Sequence, residues 1–99
     1  MQYQWNEEQI SHIIDQSLMY QCACPAQVAT QVLKIRELYT YQQRCLDLTD
    51  TDCAVHERIA SDAEQAHALM ESCLQRILEI ENWDMQTLTM PEALKKNSF

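Results

Sequence analysis

No glycine occurs anywhere in this chain of 99 residues. At average usage roughly seven would be present. Glycine supplies tight turns, left-handed helix caps and close backbone approach to phosphates. Its absence excludes a P-loop, a dinucleotide-binding fingerprint and an EF-hand loop of standard form. It also removes the favoured residue of two-residue β-hairpins. What remains is a chain that can be nearly all helix, with short polar connections.

The apolar residues recur with helical period throughout. Ile10, Ile13, Ile14 and Leu18 share one face of a first helix. It starts at an Asn6 cap, carries Glu7 and Glu8 in its first turn, and ends near Tyr20 to Cys22. Cys22-Ala23-Cys24-Pro25 is the first break, with Cys24 at the N-cap position. A second helix is predicted from about Pro25 to Leu48. Its stripe is Val28, Val32, Ile35, Tyr39, Gln42 and Leu46, widened by Leu33, Leu38, Tyr41 and Cys45.

Thr49-Asp50-Thr51-Asp52 is a run of cap formers that starts a third helix. That helix runs to Glu81 or Asn82 along Val55, Ile59, Ala63, Ala66, Met70, Cys73, Ile77 and Ile80. At 1.5 Å per residue it is about 45 Å long, more than one short bundle needs. The small residues in its middle permit close helix approach. Thr89-Met90-Pro91-Glu92 reads as a cap and a short helical turn, ahead of Lys95 and Lys96. Met85, Leu88, Met90, Leu94 and Phe99 are available to dock that tail. The expected fold is an all-α antiparallel three-helix bundle, one domain over residues 1–99. A long helical hairpin and an N-terminal helix form it, closed by a short C-terminal helical turn. The length of the third helix points to a homodimer.

Composition narrows the function classes. Apolar residues are 46% and charged residues 22%, as in soluble globular proteins. No apolar run is long enough to span a membrane, and the first residues do not read as an export signal. A net charge of −8 argues against a nucleic-acid surface and against an anionic membrane. The charge is unevenly shared. Residues 25–48 carry a net +1 and residues 50–84 a net −7, which favours pairing of the second and third helices modestly. Five cysteines cannot all pair within one chain, so they read as reduced thiols in a cytoplasm.

Three constellations can carry chemistry. Cys22-x-Cys24-Pro25 sets a thiol at a helix N-terminus, where the dipole favours the thiolate. With Cys73 near it across the hairpin, such a pair can bind a soft metal or cycle as a redox pair. The same thiols also read as packing and capping residues. Cys53-x-x-His56, with Cys45 opposite, offers three zinc ligands and takes a fourth from Asp50, Asp52 or water. It also reads as an ordinary helix start with a half-exposed His56 and two core thiols.

Glu64-x-x-His67, with Glu37 about level with it on the second helix, is the third. A hairpin carrying Glu and then Glu-x-x-His resembles half of a ferritin-like di-iron site, completed across a homodimer as in the encapsulated ferritins. That resemblance implies Glu37, Glu64 and His67 as metal ligands. The helical phase alone reads differently: Glu64, His67 and Glu71 share a solvated face, and Glu37 turns away from the stripe. The metals these sets would take are iron, zinc or copper.

Other features are plainer. His12 lies at the edge of an apolar face, Trp5 and Trp83 cap the ends of the core, and Tyr39 and Tyr41 lie along the hairpin. No serine sits on a glycine-flanked elbow of the kind a serine hydrolase uses. Two functions follow. One is a small cytoplasmic helical module that binds another protein or itself, without catalytic chemistry. The other is a metal-binding or thiol-active bundle.

Overall fold

A computed structural model describes residues 1–19 and 23–94. Its elements are α1 (Glu7–Ser17), α2 (Cys24–Arg44), α3 (Asp50–Ile80) and one 3-10 turn, Glu92–Leu94. The fold is all-α, and its helix contacts are those of a bundle in which α1 and α3 each lie along α2. Cys22, Lys95, Lys96 and Phe99 lie outside the described residues.

The caps explain where the helices begin. Asn6 and Gln9 form a reciprocal capping box, each side chain accepting from the other's backbone N–H, at 2.8 and 2.9 Å. Thr49 Oγ1 accepts from the Asp52 amide at 3.0 Å and starts α3. The start of α2 departs from expectation. Its N-cap is Ala23, and Cys24 is already the first helical residue and exposed. Alanine offers no cap, so the bond comes from another helix. The buried Ser17 Oγ at the end of α1 accepts from the Ala26 N–H at 2.9 Å, the amide an N-cap side chain would satisfy.

The far end of α2 also differs. It stops at Arg44 rather than Leu48, with Cys45 extended and Leu46 and Leu48 largely exposed. At the C-terminus of α3, Asn82 takes the left-handed conformation that glycine usually supplies, at φ 61°. Trp83 N–H then bonds Leu78 C=O and Asn82 N–H bonds Glu79 C=O, both at 3.0 Å, a Schellman closure. Leu88 is also left-handed, at φ 55°, in a turn closed by the Asp84–Thr89 bridge. Asp84 Oδ1 accepts from the amides of Gln86 and Thr87 in that turn.

One core cluster joins Ile10 and Ile13 of α1, Ala29 and Val32 of α2, and Leu74 and Leu78 of α3. Both tryptophans lie inside it with Leu88 and Met90, rather than capping opposite ends. The tail docks through these two residues, while Met85 stays partly exposed. α1 is short, about 16 Å at 1.5 Å per residue, whereas the molecule measures 59 × 23 × 19 Å. The core therefore fills one half of the molecule, and the other half is a bare two-helix hairpin.

The buried faces are rotated from the expected stripes. On α3 they run through Ala63, His67, Glu71, Leu74 and Leu78, leaving Ala66, Val55 and Ile80 exposed. On α2 they run through Ala29, Val32, Arg36 and Gln42, so Val32 and Gln42 of the expected stripe are buried, whereas Tyr41 is exposed and Leu46 lies beyond the helix. His67 and Glu71 thus belong to the interior and not to a solvated face. The reason is that Arg36 of α2 is buried against both of them. No helix among the described residues is long and apolar enough to cross a membrane.

Candidate functional site

Arg36, His67 and Glu71 form a polar network inside the bundle, at 4%, 1% and 5% exposure. Arg36 Nε donates to His67 Nε2 at 2.9 Å. Arg36 Nη2 donates to Glu71 Oε2 at 3.0 Å and to the Trp5 carbonyl at 2.6 Å. Arginine cannot accept a hydrogen bond, so His67 Nε2 is the unprotonated nitrogen and the ring proton sits on Nδ1. That nitrogen faces Glu71 Oε1 at 3.5 Å. Burial holds the His67 pKa below its ordinary value, the nearby Arg36 adds to this, and the Glu71 carboxylate opposes it. The ring is neutral and both of its nitrogens are occupied.

The network ties down the N-terminal segment. Glu71 Oε2 also accepts from the backbone N–H groups of Gln4 and Trp5, at 2.8 and 3.3 Å. The Gln4 side chain bonds that of Gln75. Tyr3 covers the arginine, its ring centroid 3.7 Å from Arg36 Cζ and 5.3 Å from the His67 ring. Residues 3–5 are thus a strap laid across α2 and α3. One polar atom of the network is left over: Arg36 Nη1 is buried with no hydrogen-bond partner among the described residues. On the same side of α2, at the start of α1, lies a cleft of about 550 Å³ lined by Arg36, Glu37, Thr40, Tyr41 and Arg44 of α2 and by Tyr3, Glu7 and Ser11.

A second polar region sits at the hairpin tip. Asp47 Oδ1 lies 2.7 Å from His56 Nδ1, which orients the ring. Cys53 Sγ donates to Glu57 Oε1 at 3.4 Å, and this bond to a carboxylate raises the thiol's pKa. Such a thiol is kept protonated and is a poor nucleophile. A hydrogen bond to Glu64 likewise raises the pKa of Tyr39.

The expected metal residues are dispersed. Glu37 and Glu64 are both exposed and line different clefts, Glu64 beside Tyr39 and Glu37 beside Tyr3. His67 lies inside, committed to Arg36 and Glu71. Cys24 is exposed and Cys73 half-buried, while Cys22 lies outside the described residues. Among the described residues, no group of three or more His, Cys, Asp or Glu side chains is placed to hold a metal ion. Sequence reasoning took His67 for a possible ligand and missed Arg36 and Glu71. The available signal was charge at buried helical phase: Arg36 sits one turn from Val32, and Glu71 one turn from His67 and from Leu74.

A third surface is the flank of the hairpin away from α1. There α3 presents Val55, Ala66, Leu69 and Ile80 to solvent, with Ile59, Met70, Cys73 and Ile77 half-buried beside them. Ile59, Ala63, Ala66, Met70, Cys73, Ile77 and Ile80 alternate by four and three residues, but Ala63 is buried and Met70 and Ile77 pack against the chain's own core, so the part of the repeat left open is Ala66 and Ile80. No family model matches this chain, and no curated protein or solved structure matches it either.

Proposed function

We propose that this chain is a helical interaction module whose partner is a second copy of itself, joined through the open flank of the α2–α3 hairpin. The observation that carries the proposal is the exposed apolar row Val55, Ala66, Leu69 and Ile80 on α3. Leu69 is 62% exposed and Ile80 77% exposed, and with Val55 and Ala66 they fall on one side of the helix, where a second apolar helix can cover them. Residues 55–80 span about 38 Å at 1.5 Å per residue, long enough for a helix-on-helix contact with a second copy. The proposal places the protein in a reducing compartment such as the cytoplasm, where unpaired thiols persist.

The module works by association and not by bond making. The buried triad supports this reading. Its hydrogen bonds are spent on the strap, and its histidine has no free nitrogen for proton transfer.

Sedimentation equilibrium over a range of concentrations tests the proposal. The expected result is a species of twice 11.6 kDa that dissociates on dilution. Leu69→Glu and Ala66→Glu, both at exposed positions, convert it to a monomer with unchanged helical circular dichroism. A wild-type monomer at high concentration, or a dimer that survives both substitutions, overturns the reading.

A further inference from the structure

We propose that the cleft between the strap and the second half of α2 binds a small zwitterion, an α-amino acid with an aromatic body. The inference is independent of the oligomer reading, because the cleft lies on the α1 side of the hairpin. It begins with Arg36, which is buried with Nη1 lacking a hydrogen-bond partner among the described residues while its other donors are taken. A buried guanidinium N–H left unpaired is costly, and an acceptor on a bound molecule relieves that cost.

Charge decides what kind of molecule carries the acceptor. Glu71 already compensates Arg36. The remaining charges on the cleft are Glu7, Glu37 and Arg44, and none of these is in an ion pair among the described residues. Two acids and one base repel a simple anion. They suit a ligand with an ammonium for the glutamates and a carboxylate for Arg44 and Arg36 Nη1. Tyr3 and Tyr41, at 48% and 65% exposure, offer flat apolar faces for an aromatic body. Nη1 is closed off from solvent and the Tyr3 ring lies over the guanidinium, so binding requires that ring to move aside for the carboxylate to reach Nη1. A volume of about 550 Å³ is ample for such a ligand.

Three probes that differ by one group each test this: L-phenylalanine, hydrocinnamate, which lacks the amine, and phenethylamine, which lacks the carboxylate. Each is titrated into the full chain and followed by NMR at Tyr3, Thr40 and Tyr41. The expected result is saturable binding of phenylalanine, roughly tenfold or more tighter than either probe lacking a charged group. Glu37→Gln weakens phenylalanine without changing hydrocinnamate, and Arg44→Gln weakens phenylalanine without changing phenethylamine. Both sites are exposed, so the fold is retained. No saturable binding overturns the proposal. So does equal binding of phenylalanine and either single-charge probe, or undiminished phenylalanine binding in both variants.

Discussion

Arg36 is held by an atom from each neighbour it has: a ring nitrogen and a carboxylate on α3, and a carbonyl on the strap. Such a group stabilises the fold only while every partner is present. Removing one partner of a buried ion pair typically costs about 3–5 kcal/mol, because the other charge stays behind. Glu71→Gln is therefore expected to lower stability by that order in urea unfolding and to free residues 3–5, read as faster amide exchange at Gln4 and Trp5. His67 sets a pH dependence. Its ordinary pKa is 6.5, and burial lowers it in the folded chain. As pH falls through 6.5 the unfolded chain takes up the proton first, so His67's contribution is fully present above that value and is lost progressively below it. Urea midpoints measured from pH 7.5 down to 5 should fall, and His67→Gln should flatten that fall. The glutamine amide can still accept from Arg36 and donate to Glu71. This network was not legible in the sequence. His67 and Glu71 share a face with Glu64, which reads as solvated when α3 is considered alone, and the group that changes the reading stands 31 residues away on another helix.

Each helix start is held by a side chain that the sequence makes available, and one of them comes from outside its own helix. Asn6 and Thr49 were readable as caps because serine-like and amide side chains precede a periodic apolar run. Ser17 was not, because its bond to Ala26 crosses from α1 to α2 and leaves no local pattern. Ser17→Ala should cost about 1 kcal/mol, the usual value of a lost N-cap, and should loosen the α1–α2 connection rather than α1 itself. Amide exchange at Ala26 and Gln27, compared with that at Ile13, checks it. The absence of glycine reads differently at this scale. It gave the helical class, but it did not mean that left-handed backbone was absent. Asn82 and Leu88 occupy that region, asparagine at little cost and leucine at about 1–2 kcal/mol. Asn82→Gly should leave stability unchanged or slightly raised, whereas Asn82→Ala should lower it by about 1 kcal/mol. Thermal unfolding of the pair separates backbone conformation from side-chain loss, because both substitutions remove the same amide.

The molecule as a whole is unevenly covered: a three-helix core at one end and a two-helix hairpin at the other, along a 59 Å axis. The apolar periodicity of α3 was legible from end to end, but the sequence could not say which of two adjacent stripes faces α2. Rotation toward His67 and Glu71 left Val55, Ala66 and Ile80 of the expected stripe exposed, while Ala63 is buried and Met70 and Ile77 pack against the core, and that exposed flank is where a second copy is expected. A two-fold axis makes such an interface self-complementary, so each contact occurs twice. If the two α3 helices cross antiparallel at Leu69, Asp62 of one copy stands against Arg76 of the other, because Leu69 lies midway between them. Within one copy Asp62 has only a long, exposed contact with Arg58 at 3.8 Å, which leaves it available. Asp62→Arg alone should weaken the dimer by setting like charges together, and Arg76→Asp alone should do the same. The double variant restores opposite signs and should recover most of the loss. A parallel arrangement predicts no such recovery, because Asp62 would then meet Asp62. Linked stability gives a second readout, since the unfolding temperature of a dimer rises with protein concentration. That rise should shrink in each single variant and return in the double.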